Sequence, residues 1–525
     1  MINFKLKPNL KITKKMNETT VKTGHPKGLY FLFFTEMWER FSYYGMRAIF
    51  ILFMTKILLM KDADASEIYG SYTGLVYLTP LLGGYLCDKF LGNRRSVIIG
   101  GLLMAIGQFF MFLSASAGVD GGVSLMWMGL TSIIIGNGFF KPNISTMVGQ
   151  LYPANDRRID SAFTIFYMGI NLGAFFSPLV CGSVDFKWGF LAACIGMLFS
   201  LLFFILYQKK YLISEEGKEI GLPVKKLDLK NIILIIGSIG IVFFMLNFKQ
   251  MFKSDTDIIG YFIYGAMILM PVLILTDKSL TKVERNRIIV IFILAFFVIF
   301  FWGAFEQAGA SLTLFADRQT DRSVMGWDMP ASYFQSINPL AVICLAPIFT
   351  LIWAYLYKKR MEPSSPFKMA YGLLLVALGY VVIAIAVKGL GIDEKVSMWW
   401  LVALYIIHSM GELCLSPIGL SMVSKLAPLR LSSLMMGTWF LANAAANKFA
   451  GTLSALIPPT AGAEASTEPL VYPSFLGFQI TNLYEFFMLF IVMTGVAAAI
   501  LFVLSSWLQK MMDEKNIEGQ PDLDR

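Results

Sequence analysis

Apolar residues run in unbroken stretches of about 20, the length that crosses a bilayer as a helix, and do not alternate with polar ones as in a half-buried strand. Six stretches fall at 29–58, 70–89, 96–116, 122–146, 160–180 and 188–208. The break at 209–229 holds Lys209, Lys210, Glu215, Glu216, Lys218, Lys225 and Lys226, and is too charged to cross. Two stretches follow at 230–248 and 258–276, then six more at 288–312, 333–357, 366–388, 398–424, 433–456 and 484–509. The pattern predicts an all-α membrane protein with fourteen transmembrane helices, grouped six, two and six.

Lys and Arg collect in short cytoplasmic loops, so they orient the chain. With the first segment inside, the inner loops hold Lys89, Arg94 and Arg95; Arg157 and Arg158; the 209–230 cluster; Lys278, Lys282, Arg285 and Arg287; and Lys358, Lys359 and Arg360. The outer loops 115–123 and 457–482 hold no Lys or Arg, while 249–257, 313–332 and 388–397 mix bases with acids. An even number of spans then places both termini in the cytoplasm. The first 28 residues carry seven lysines and no long apolar stretch, so no cleavable leader is expected ahead of the first span. The expected layout is a cytoplasmic tail at 1–28, a six-helix bundle at 29–208, a linker with two extra spans at 209–287, a second bundle at 288–510 and a tail at 511–525. Two such halves joined by a basic linker suit a carrier built from parallel repeats, although no similarity between them is visible by eye.

Composition agrees. Of 525 residues 56% are hydrophobic and only 15% charged, with mean hydropathy +0.64, against about a quarter charged in soluble domains. The net charge of +9 lies in loops and not along one helical face, so nucleic acid is not expected as a partner. Two histidines and five cysteines inside apolar runs (Cys87, Cys181, Cys194, Cys344, Cys414) give no metal spacing and no disulfide framework. No phosphate-binding G-x-x-x-x-G-K-[ST] loop is present, which argues against ATP as the energy source. No cofactor is expected.

Charges inside a span cost several kcal/mol and require a reason. The first span carries Glu36, Glu39, Arg40 and Arg47; with Tyr43 they fall within about 60° of the direction of Glu36 at 100° per residue. A self-satisfied ion-pair network would account for part of this stripe, but two acids and two bases exceed what packing one helix requires. The stripe is read as lining a water-filled pathway. Lys141, Glu306 and Glu412 stand alone in other spans, so ion pairs across the halves with Arg47 and Lys141 are expected to close one side of a cavity at a time. A carboxylate that loses its partner is also a suitable proton carrier. Tyr167 with Asn171, Glu412 with Ser416, and Trp439 with Asn443 and Asn447 repeat at helical spacing, where interhelical packing is an equal alternative to binding. His408 shares the face of Glu412 but is read as a packing residue, and Glu485 as interfacial.

Several motifs are more specific. Gly83-Gly84-Tyr85-Leu86-Cys87-Asp88-Lys89-Phe90-Leu91-Gly92-Asn93-Arg94-Arg95 resembles the loop between helices 2 and 3 of the major facilitator superfamily, where Gly84 and Gly92 allow close approach and Asp88 with Arg94 and Arg95 is expected to clamp the halves at the cytoplasmic face. Glu36-Met37-Trp38-Glu39-Arg40-Phe41-Ser42-Tyr43-Tyr44-Gly45 resembles the first-helix signature of the proton-dependent oligopeptide transporter family, prokaryotic type. Phe166-Tyr167-Met168-Gly169-Ile170-Asn171-Leu172-Gly173 is similar to the same family's helix 5 signature. Phe140-Lys141-Pro142-Asn143, Phe301-Trp302 to Glu306-Gln307, Ile337-Asn338-Pro339, Gly411-Glu412 to Ser416-Pro417 and Gly437-Thr438-Trp439-Phe440 follow in the family's order, so the resemblance spans about residues 28–510.

The resemblance implies a major facilitator fold and import of di- and tripeptides with protons. Glu36, Glu39, Arg40 and Glu306 would couple protons. Arg47 and Lys141 would receive the peptide carboxylate, and Asn171, Asn338 and Glu412 its amino group. Tyr43, Tyr44, Tyr77, Tyr167 and Trp439 would line side-chain pockets, with Ser416 beside Glu412. Arg47 with Glu306 would gate the extracellular side and Lys141 with Glu412 the intracellular side. Animal members carry a histidine at the start of helix 2 where this chain has Gly70, which moves the coupling onto the acids; the longest outer loop, about 26 residues, also lacks their large external domain. The expected setting is a bacterial inner membrane, with the lipid bilayer, protons and peptides as partners and a monomeric state. The alternatives are the same fold carrying another amphipathic or anionic solute, such as an amino acid or nitrate, and a peptide sensor that does not transport. An enzyme is disfavoured by the lack of a nucleophile–histidine arrangement.

Overall fold

The acids at the start of the second apolar stretch hide two turns of helix from hydropathy. In the computed structural model this helix runs over Asp62–Leu86, not from residue 70. Asp62 and Asp64 sit in its first turn, where a carboxylate favours the positive end of the helix dipole. The structure describes residues 24–153, 156, 158–223, 229–391, 394–459 and 472–513. The far ends of both tails, Arg157 and the linker lysines Lys225 and Lys226 lie outside the described residues.

Six helices form the first half: α1 (Lys27–Lys56), α2 (Asp62–Leu86), α3 (Asn93–Ala117), α4 (Val119–Gln150), α5 (Ile159–Cys181) and α6 (Phe186–Tyr211). The inserted pair is α7 (Leu229–Phe252) and α8 (Ile258–Leu275). The second half contains α9 (Lys282–Phe305), the short α10 (Ser311–Arg318), α11 (Ile337–Lys358), α12 (Ser365–Val387), α13 (Met398–Leu426), α14 (Ser432–Ser454) and α15 (Leu483–Asp513). Eleven of these stretches are long and apolar enough to cross a membrane by length and composition, and α1, α2 and α14 are absent from that set. Those three carry much of the polarity of the inter-half seam.

The second half opens on a capping box. Thr281 Oγ1 accepts from the Glu284 amide at 3.2 Å, while the Thr281 amide donates to Glu284 Oε2 at 2.9 Å. The helix therefore starts earlier than the expected 288. It also ends earlier: the span expected to run to 312 breaks into a 3-10 turn at Glu306–Gly309 before α10 begins. The break falls on a charged residue whose partner lies in the other half.

Packing order shows the repeat that the residues conceal. In the first half α3 packs on α4 and α6, α1 on α5 and α6, and α2 on α4. In the second half α12 packs on α13 and α15, α9 on α14 and α15, and α11 on α13. Setting α9, α11, α12, α13, α14 and α15 against α1 to α6 in order makes these the same five pairings. That is the parallel-repeat architecture of the major facilitator fold. The halves meet chiefly where α2 lies on α14 and α5 on the start of α11.

One face of the molecule, here the tail face, is where α1 begins; the opposite one is the far face. Near the tail face Arg158 ties the loop after α4 to Asp156 at 2.6 Å, to Glu215 at 2.8 Å and to the Gly24 carbonyl at 2.6 Å. Hydrogen bonds from the Arg158 guanidinium and from its amide hold the Asp156 carboxyl down to about 2. Arg94, buried, donates to Glu219 Oε2 at 2.9 Å and to the Leu212 carbonyl at 2.8 Å. The helix 2–3 loop therefore grips the linker of its own half. Of the other residues expected in the clamp, Asp88 is exposed, Arg95 is half-buried, Gly84 lies in the last turn of α2 and Gly92 just ahead of α3.

Candidate functional site

A cavity of about 310 Å³ lies between the halves, with walls from α1, α2, α4 and α5 on one side and α9, α11, α13 and α14 on the other. Glu36, Arg40, Tyr44, Arg47, Tyr77, Lys141, Tyr167 and Asn171 line the first wall. Glu306, Asn338, Glu412, Ser416 and Trp439 line the second. Residues scattered over about 400 positions of sequence thus converge on one space.

Two expected lining residues, Glu39 and Tyr43, are absent from this lining. Glu39 is fully buried inside the first half, and Tyr43 is 3% exposed, edge-on to Tyr44 and tilted against Tyr72. The stripe on α1 is real, but only one margin of it meets the cavity. Tyr43 is therefore a packing residue in this conformation and not a pocket wall.

Within α1, Arg40 Nε contacts Glu36 Oε1 at 3.0 Å and also pairs with Glu39. Asn137 Nδ2 of α4 donates to Glu39 Oε1 at 3.4 Å. Glu36 Oε2 and Arg40 Nη2 are buried with no hydrogen-bond partner among the described residues. Two carboxylates sharing one guanidinium carry a net negative charge when both are ionised, in a setting where charge is costly. One added proton neutralises the trio.

Toward the far face, Arg47 of α1 pairs with Glu306 at the break after α9. Arg47 Nε also donates to the hydroxyl of Tyr69 at 2.6 Å. The break matters sterically. A Cβ at Gly309 would stand 1.7 Å from the Tyr69 hydroxyl, so only glycine lets that ring reach the ion pair. The two residues expected to gate the far side are thus in contact across the halves.

The expected partner gate is apart. Lys141 makes no ion pair among the described residues; its ammonium lies 4.4 Å from the centroid of the Tyr77 ring. Glu412 Oε2 accepts from Asn338 Nδ2 at 2.8 Å, and the same amide group reaches Ser409 Oγ at 3.0 Å. Each group has found a local partner in its own half, which offsets the cost of standing without the other. Asn171 Nδ2, expected to meet an amino group, here donates to the Tyr167 carbonyl at 2.9 Å.

Other residues belong to the site without having been singled out. Tyr69 lies just ahead of the expected start of the second span, where hydropathy gives no signal for it. Asn137 and Tyr405 are ordinary helix residues until their neighbours are known. Lys448 on α14 is different: a base within an apolar stretch, with the same signal as Lys141, it is 2% exposed. His408 hydrogen-bonds the Val376 carbonyl at 3.2 Å, packs on Tyr380 and also borders the cavity. Among the described residues no group of three or more His, Cys, Asp or Glu is placed to hold a metal ion.

Comparison with known proteins places this arrangement. The model of the POT family matches residues 94–467. The chain is 38% identical over 456 residues to the peptide transporter YePEPT of Yersinia enterocolitica, covering 82% of this chain and 88% of that one. It is 34% identical over 447 residues to a di-/tripeptide transporter of Lactococcus lactis, covering 80% and 87%. A crystal structure of peptide transporter POT in complex with sulfate matches with TM-score 0.78 at 34% identity, over 94% of this chain and 97% of that one. Motifs, helix pairing and sequence identity agree, and the chain belongs to the POT family of multi-pass membrane transporters.

Proposed function

We propose that this protein is a proton-coupled symporter that imports di- and tripeptides by alternating access, acting as a monomer in a bacterial inner membrane with both termini cytoplasmic. The observation that carries the reading is the polarity of the cavity. One wall presents Lys141, which has no ion pair among the described residues, beside Arg40 paired with Glu36 and Arg47 paired with Glu306, and the other presents Glu412 held by Asn338. A peptide has a carboxylate at one end and an ammonium at the other, so it bridges such walls whatever its side chains. Tyr44, Tyr77, Tyr167 and Trp439 offer flat apolar surfaces that tolerate many side chains. The printed names of the relatives, peptide and di-/tripeptide transporters, support the same substrate class.

The charges suggest the order of events. A proton on Glu306 releases Arg47 and weakens closure of the far face. Lys141 pairing with Glu412 closes the tail face at that stage, and an entering peptide offers its carboxylate to Arg47 or Lys141 and its ammonium to Glu412, which competes with that pair and lets the tail face open. The proton then leaves Glu306 for the Glu36–Arg40–Glu39 trio, where neutralising the excess charge lets it remain buried during the swing, and Glu306 is free to pair with Arg47 again. Release to the tail face restores the state described here.

Competition against labelled dialanine uptake tests recognition at both ends. Unlabelled dialanine is expected to compete fully, while N-acetyl-dialanine and dialanine amide each lose about tenfold or more, the cost of one missing charge-assisted contact. Equal competition by the blocked peptides would refute two-ended recognition.

A further inference from the structure

Buried Lys448 joins three parts of the molecule that lie far apart in sequence. Its ammonium reaches Ser71 Oγ on α2 at 2.9 Å and Asp257 Oδ2, in the turn between α7 and α8, at 2.8 Å. The Lys448 side chain is 2% exposed and that of Asp257 37%. Asp257 is held in place from its other oxygen: Oδ1 accepts from the Gly260 amide and caps α8. The inserted pair straddles the halves, with α7 packed on α4 and α8 on both α14 and α2. A cavity of about 240 Å³ beside the junction opens among α2, α7, α8 and α14.

We infer that Lys448 is a gating residue on the far face and that the inserted helix pair is a working part of that gate, latched through Asp257. The inference rests on the alternating-access reading above. Opening the far face must part α2 from α14, which takes Ser71 away from Lys448. A buried ammonium that loses a partner is penalised, so the contact favours the closed form. Asp257 sits on a hairpin whose α7 packs on α4 of the first half, so its pair with Lys448 of the second half also spans the seam and is strained when the seam opens. Lys249 of α7 meets Glu67 of α2 at 2.6 Å, but both side chains are nearly half exposed, so that bond adds little.

The test is a distance measurement between spin labels at Leu59→Cys and Met325→Cys, exposed positions on far-face loops of the two halves. It is made on the full chain with its own cysteines replaced by serine, without peptide or gradient. Lys448→Met and Asp257→Asn are each expected to lower the closed-to-open ratio by about tenfold. Asparagine still caps α8, so the second variant removes charge without removing the cap. The charge reversal Lys448→Asp with Asp257→Lys is expected to recover part of the closed population. Unchanged distances in folded Asp257→Asn would overturn the latch, and that variant decides the matter if Lys448→Met does not fold. Absence of peptide uptake by the unmodified chain, with the distances shifting as expected, would sink the transport reading and leave the latch standing.

Discussion

Glu39 and Tyr44 lie about 140° apart around α1 at 100° per residue, and their fates differ accordingly. Tyr44 faces the cavity, while Glu39 is buried inward with Asn137 of α4 as a neighbour. The angular stripe was legible in the residues; which margin of it met water was not, because that depends on where α2 and α4 sit. The same limit hid Tyr69 and made Tyr43 look like a wall. Buried placement suits Glu39 to hold a proton beyond the reach of bulk water, whereas Glu36 borders the cavity and can exchange with it. Glu36→Gln and Glu39→Gln are therefore expected to reduce gradient-driven uptake to the level of empty liposomes while peptide-for-peptide exchange stays measurable. If both activities survive unchanged, the proton site lies elsewhere.

Among the elements, α2 and α14 form the tightest seam between the halves. Ser66 Oγ meets Ser454 Oγ at 2.9 Å, and a Cβ at Gly70 would lie 2.6 Å from the Gly451 Cα. Small residues four apart on α2, at Ser66, Gly70 and Gly74, let the two backbones approach as membrane helices do. A histidine at position 70 would not fit this crossing. Hydropathy located most of the helices, since length and apolarity suffice for that. It misplaced the start of α2 and the end of α9, where acids serve a helix terminus and an ion pair across the halves. Gly70→Ala is expected to destabilise the solubilised protein by about 1–3 kcal/mol through overpacking against backbone. Gly237→Ala, at a position with open space around it, is expected to be neutral or stabilising by up to about 1 kcal/mol. Equal shifts of the two thermal midpoints would show that the seam is not close-packed.

For the whole molecule, the ion pairs described between the two six-helix halves, Arg47–Glu306, Lys56–Asp317 and Asp62–Arg318, lie toward the far face. The pair expected near the tail face, Lys141 and Glu412, is apart. The conformation is thus closed on the far side, with the cavity between the halves. The six, two, six grouping could be read from the spacing of apolar stretches, but the repeat could not. Different side chains satisfy the same packing, so the equivalence of the halves survives in their helix pairings and not in their residues. Lys448 shows the opposite failure: its signal was present in the sequence, but its meaning required the inserted pair to be seen beside it.

The most direct measurement is uptake of labelled dialanine into liposomes containing the purified protein, with an inward proton gradient and with the gradient collapsed by an uncoupler. Accumulation above the external concentration, lost on adding the uncoupler, is the expected result. Equal filling with and without the gradient, or no uptake by folded protein, would contradict proton-coupled peptide import.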